Sequence, residues 1–176
     1  MRKASLLALF IASAALLAGC GSISTQFKAA SEPAETDARA RLRVVAHSLV
    51  KAVPGKTCID WSAPGAGTVF GGMFGSSGYR GRSLDMPSPI GNKRSAGELY
   101  VAANQPITLA FVTTPEGIPC GVGRTCHCSV AGSFVPEKDK DYQAVLQLLG
   151  NQCSFAVREL DADGTPVTVT PAAPCP

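Results

Sequence analysis

The chain has 176 residues, is 45% hydrophobic and 16% charged, and carries a formal charge of +3. That length suits one domain with a substantial core, since domains commonly run to about 100–150 residues. The charge is small and no run of Lys or Arg could track a phosphate backbone, so composition argues against a nucleic-acid partner.

The chain opens with a short positive segment, Arg2-Lys3, and then an uncharged apolar run from Ser5 to Leu17. The run is shorter than the roughly 20 apolar residues that a membrane-spanning helix requires, and it has the form of a removable export signal. It ends Leu17-Ala18-Gly19-Cys20. This segment resembles the lipobox of bacterial lipoprotein signals. The resemblance implies cleavage after residue 19, diacylglycerol and palmitoyl-type acylation at Cys20, and a membrane as the first partner. Gly21-Ser22, in place of an Asp after the cysteine, implies outer-membrane sorting in a Gram-negative cell. Loss of Arg2 and Lys3 takes the charge from +3 to about +1. Residues 20–37 are rich in Ser, Ala, Thr, Glu and Pro with little to bury, and read as a solvated tether. Residues 38–176 then form the domain.

In chain order, Arg41–Val53 predicts one strand or two short ones, because Val is frequent and no helix cap precedes it. Pro54-Gly55 ends it. Residues 62–83 are glycine-rich without a period of 2 or 3.6, and predict a long loop or short strands with glycine bends. Glu98–Ala102 and Ile107–Thr113 read as strands around a turn at Asn104-Gln105-Pro106, and Ser129–Val135 as the next. Tyr142–Leu149 and Cys153–Leu160 read as strands around Gly150-Asn151, with a helix over Asp139–Leu149 as the competing reading. A hairpin turn at Asp161–Gly164 leads to Pro166–Thr170. β-type runs at intervals near ten residues predict a mainly β domain, a disulfide-stapled antiparallel β-sandwich. The phrase Ser133-Phe-Val-Pro-Glu-Lys-Asp-Lys-Asp-Tyr142 also resembles a turn of small β-sandwich lipoproteins of Gram-negative bacteria.

Seven cysteines leave six once Cys20 is set aside: Cys58, Cys120, Cys126, Cys128, Cys153 and Cys175. An even number in an oxidising compartment argues for three disulfides, with about fifteen pairings open. Folding the last hairpin at Gly164 favours Cys153–Cys175; the short glycine loop favours Cys120–Cys126; Cys58–Cys128 remains. Cys120, Cys126, His127 and Cys128 also suit Zn²⁺ or Cu⁺ by ligand type, although the Cys-His-Cys spacing is cramped for one ion. Disulfides are the favoured reading, with no metal and no cofactor.

Other chemistry fails on context. Pro54-Gly55-Lys56-Thr57 lacks the first glycine of a phosphate loop, and Gly65-x-Gly67 lacks a surrounding βαβ unit. Asp161-Ala-Asp-Gly-Thr opens like a calcium loop but has Ala172 where a bidentate Glu is required. His47 is placed on a strand face, and neither histidine accompanies a nucleophile elbow. The one recognition candidate is the aromatic and Arg content of the glycine-rich region: Trp61, Phe70, Phe74, Tyr79, Arg80 and Arg82. The sequence thus points to a non-enzymatic, lipid-anchored binding or envelope-maintenance protein, with an envelope protein as a further partner. The alternatives are an accessory metal or redox protein, and an inhibitor of an envelope enzyme acting through the Gly/Arg loop.

Overall fold

The computed structural model describes residues 27–71, 78–87, 94–113, 117–149, 152–161 and 163–176; the side chains of 118–121, 147–149 and 152 lie outside that description. Cys20, Phe74 and the Cys120 side chain therefore fall outside it.

Twelve strands follow one another: β1 (Arg39–Val45), β2 (Leu49–Pro54), β3 (Gly67–Phe70), β4 (Ala96–Ala102), β5 (Ile107–Val112), β6 (Ile118–Gly121), β7 (Arg124–Cys126), β8 (Ser129–Phe134), β9 (Asp141–Leu149), β10 (Gln152–Glu159), β11 (Pro166–Val167) and β12 (Thr170–Pro171). There is no helix among the described residues. One five-stranded sheet runs β11-β10-β9-β1-β4 and the other β12-β8-β5-β2-β3, while β6 and β7 form a small separate hairpin.

Both large sheets feed one apolar core. Ala40, Leu42 and Val44 of β1, with Leu99 and Val101 of β4, meet Val50 and Ala52 of β2 and Leu109 and Phe111 of β5. Alternation in β1 explains the arrangement. Its even-numbered side chains enter the core, and its arginines occupy the opposite face, as the period of two in a strand requires. The Arg41–Val53 region divides into two strands because residues 46–48 carry the chain from one sheet to the other. His47 lies exposed in that turn, not on a strand face.

Tyr142 and its neighbours form a strand, as the favoured reading had it. β9 pairs antiparallel with β10 but parallel with β1, so the wholly antiparallel expectation is corrected. β1 thus lies between β4, antiparallel on one edge, and β9, parallel on the other. Pro166–Thr170 is not one strand. β11 pairs with β10, then the chain crosses and β12 pairs with β8 of the other sheet.

That crossing decides two disulfides. The last hairpin does fold back on β10, with Val157 opposite Val167. Beyond Thr170, however, the chain leaves Cys153 behind and runs beside Ile59, whose amide donates to the Ala173 carbonyl. Cys175 therefore bonds Cys58, with Cα atoms 5.1 Å apart, and Cys128 bonds Cys153 at 6.1 Å. The expected pairs Cys153–Cys175 and Cys58–Cys128 are both corrected: they rested on a local hairpin where a change of sheet intervenes. Cys126 is disulfide-bonded as well.

Candidate functional site

The two sheets meet along one side where edge strands β3 and β4 face each other, and two chain segments fill the gap between them. The first is Gly78–Arg82. Tyr79 N–H donates to the Val69 carbonyl and Gly81 N–H to Ala96, both at 2.8 Å, and Glu98 N–H donates to Arg82 at 3.2 Å. The second is Lys28–Glu32. Ala30 N–H donates to Thr68, and Thr68 N–H returns a bond to Lys28, at 2.8 Å each. On the β4 side the strap uses a side chain, and the Tyr100 amide donates to Glu32 Oε1 at 2.7 Å.

Glycine makes these approaches feasible. A Cβ on Gly67 would lie 2.5 Å from the Ala29 carbonyl oxygen, and one on Gly97 would overlap the carbonyl of Tyr79. Their role is close backbone approach. Part of the glycine-rich region is thus a strand and a strap. Lys28–Pro33, read from composition as tether, belongs to the folded domain: Ala29, Ala30 and Ser31 are small enough to lie against β3, and they leave no hydrophobic period to betray the pairing.

The straps are tied to each other. The Tyr79 hydroxyl donates to the Ala30 carbonyl at 2.5 Å, and Arg82 Nη1 stands 2.7 Å from Glu32 Oε1. Burial pushes the Tyr79 phenol pKa up; nearby Glu32 adds to the rise and Arg82 opposes it. Glu32 therefore accepts both a backbone amide and a guanidinium on one oxygen. Two charge-assisted bonds converge on this residue.

Beneath the Lys28–Glu32 strap lies a cavity of about 350 Å³. Ala52, Leu99, Val101 and Ile107 form its floor, each at most 4% exposed. Pro33, Pro54, Pro64 and Pro106 contribute to its walls, with Ser31, Glu32 and Tyr100 on the strap side. The volume falls within the roughly 300–1,000 Å³ range of small-molecule sites, and an apolar lining is their usual character.

On the outer face of the first sheet, where the Gly78–Arg82 segment continues, is a buried ion pair. Arg43 Nη2 lies 2.7 Å from Glu98 Oε1, with side chains 3% and 0% exposed. The remaining carboxylate oxygen accepts the Leu84 amide, and Arg43 also donates to the Pro87 carbonyl at 3.3 Å. Beside it, Arg41 grips Asp141 with both Nε and Nη2, at 2.6 and 2.8 Å. The hydrogen bond to Asp141 holds the Arg41 pKa above its ordinary value despite partial burial. Chain 82–87 is thereby laid over the outer face of the first sheet.

The expected recognition residues are distributed through this framework. Phe70 is 3% exposed and belongs to the core. Trp61 packs on Val53, Ala63 and Ala66, and its ring lies 3.9 Å from the Lys51 ammonium. Lys51 is 2% exposed, and burial lowers its pKa to about 8. Tyr79 and Arg82 are seam ties. Arg80 is exposed, and its guanidinium carbon is 5.6 Å from the Phe70 ring centre. With His47 and Arg94 it borders a second, more polar hollow of about 320 Å³.

Cys126 and Cys128 are held in disulfides, so neither presents a thiolate to a metal. No group of three or more His, Cys, Asp and Glu that could hold a metal is present among the described residues. Sequence reasoning missed Glu32 and the cavity altogether. The available signal was the set of prolines at 33, 54, 64 and 106, of which Pro54 ends β2 and Pro106 precedes β5, and which converge only in the fold. Compared with family models, curated proteins and solved structures, the chain matches none.

Proposed function

We propose that this protein is a lipid-anchored, non-enzymatic binding module of the bacterial cell envelope, attached through Cys20 to the outer membrane. The observation that carries the compartment is the cysteine usage. Cys58–Cys175 and Cys128–Cys153 staple distant parts of the chain, and such bridges persist in oxidising compartments. The Leu17-Ala18-Gly19-Cys20 segment supplies a route there and a lipid attachment point. The disulfide-stapled β-sandwich reading of the domain fits this setting.

Binding is favoured over catalysis by the character of the seam. Its charged groups are engaged in holding the straps, while the cavity beside them is walled by aliphatic side chains and prolines. An envelope protein is a further partner on this reading, with the surface around Arg80 and Arg94 the place for it.

The test is the mature N-terminus and its partition. Intact mass should give a chain beginning at Cys20 and carrying acyl groups. The protein should enter the detergent phase, and Cys20→Ser should move it to the aqueous phase. A mature chain that retains residues 1–19, or a wild-type chain that is already aqueous, would overturn the anchor.

A further inference from the structure

We propose that the seam cavity takes a single hydrocarbon chain, of a fatty acid or of a membrane phospholipid. This deepens the binding reading and rests on the anchor only for the source of the ligand.

The chemistry of the walls selects this class. Pro33, Pro54, Pro64 and Pro106 line the cavity and have no N–H to offer a ligand. The Glu32 carboxylate lines the cavity and is partly exposed, but its Oε1 is engaged, accepting from the Tyr100 amide and pairing with Arg82. The Gly55 amide already donates to the Pro106 carbonyl at 2.8 Å, and that of Ser31 to Gly65 at 2.9 Å. A nucleotide, sugar or peptide is recognised by several hydrogen bonds. Here those polar groups are spent on the frame, and most of the lining is hydrocarbon. The floor of Ala52, Leu99, Val101 and Ile107 is continuous with the core between the sheets, so a chain entering end-on exchanges water for core side chains.

The position fits a membrane source. The strap that walls the cavity belongs to the described segment that follows Cys20 most closely along the chain. Ala30 lies ten positions after Cys20, which limits the distance between them to about 35 Å even at full extension. The strap itself is held by bonds that can release together. Glu32–Arg82, Tyr79–Ala30 and Tyr100–Glu32 tie it towards β4 and the other strap, and a displacement of Glu32 breaks two of these three, while the backbone bonds of Lys28, Ala30 and Ser31 to Thr68 and Gly65 keep it on the β3 side. The strap is therefore a side wall that can yield to an entering chain while the sheets stay in place.

The experiment is photolabelling of the full chain. A diazirine-bearing fatty acid is added to the Cys20→Ser protein in solution, and a diazirine-acyl phospholipid is placed in vesicles carrying the lipidated protein. Adducts are mapped by mass spectrometry, and their masses identify the donor. The expected result is labelling of Ala52, Leu99, Val101 or Ile107 by at least one donor, displaced by unlabelled palmitate. Fatty acid alone reaching the floor assigns a free fatty acid, and phospholipid reaching it assigns the membrane. Ser31→Trp, on the exposed side of the strap, should reduce floor labelling to background with the Cys58–Cys175 and Cys128–Cys153 disulfides intact. Ala52→Phe should do the same from within. Labelling confined to other surfaces with both donors, or unchanged in a folded Ser31→Trp protein, would overturn the proposal. Floor labelling of the Cys20→Ser chain, with a wild-type N-terminus that is not acylated, would retain the cavity and remove the anchor.

Discussion

The two sides on which the sheets meet are closed by different means. Along β8 and β10 the closure is covalent and continuous: Cys128 bonds Cys153 across the sheets, and the chain itself crosses from β11 to β12. Along β3 and β4 two straps are laid in and held by hydrogen bonds and ion pairs. A disulfide limits how far one side can separate at any temperature, whereas hydrogen-bonded straps can open locally at less than the global unfolding free energy. The cavity lies on the side that can open. The asymmetry gives the domain a hinge side and an entry side, which is what a rigid module needs to admit a chain-like ligand without unfolding.

Breaking the disulfides should have the largest effects. In the chain-entropy account, the 117-residue separation of Cys58–Cys175 corresponds to about 5 kcal/mol and the 25-residue separation of Cys128–Cys153 to about 3.5 kcal/mol. Paired Cys→Ala variants measured by denaturant unfolding should therefore rank in that order. The reverse order would mean that native contacts around β8 and β10, not loop length, set the stability. On the strapped side the largest effect should come from Glu98→Ala, which leaves Arg43 buried without its carboxylate and releases the Leu84 amide. Removing one partner of such a pair costs about 3–5 kcal/mol. A loss under about 1 kcal/mol, the range of exposed pairs, would place that pair in water and detach chain 82–87 from the sheet.

A pH series separates a local charge from either side. Burial lowers the Lys51 pKa to about 8, below the ordinary lysine value, so between those pH values the unfolded chain binds more protons than the folded one. Stability should then rise with pH from about 8 towards about 10, by at most about 1.4 kcal/mol per pH unit. Above about 10 the raised pKa values of Tyr79 and Tyr142 act with the opposite sign, since the unfolded phenols ionise first. Lys51→Met should flatten the rise while leaving the later fall. The smallest effect should be Glu32→Ala. Its pair with Arg82 is partly exposed, so global stability should drop by only about 1 kcal/mol. Exchange of the Tyr100 amide should nevertheless accelerate, because that amide loses its acceptor.

The strand run was legible because β-type residues alternate and turns intervene: Ile107–Val112, Ser129–Phe134 and Gln152–Glu159 fall where the pattern places them. The mainly β class followed from that. The straps were not legible. Lys28–Ser31 pairs through backbone groups, with Ala and Ser side chains that carry no periodic signal, and Gly67 and Gly97 matter for the Cβ they lack. The bridges failed for a related reason. Cys175 looks near Cys153 along a hairpin, but a two-residue strand on the other sheet redirects it. Trp61, Phe70, Tyr79 and Arg82 stood out as recognition types, and their types suit packing and strapping equally well. The cavity depends on four prolines distant in sequence, so only the fold assembles it.

The most direct test of the entry side is native-state hydrogen exchange on the oxidised protein. Ala30, Thr68, Tyr79 and Tyr100 report the straps, while Ile59, Ala172 and Cys175 report the covalently closed parts. The strap amides should exchange through a shared local opening, well below the global unfolding free energy, and palmitate should slow them selectively. Strap amides as protected as those of Ile59 and Cys175, with no response to palmitate, would contradict it.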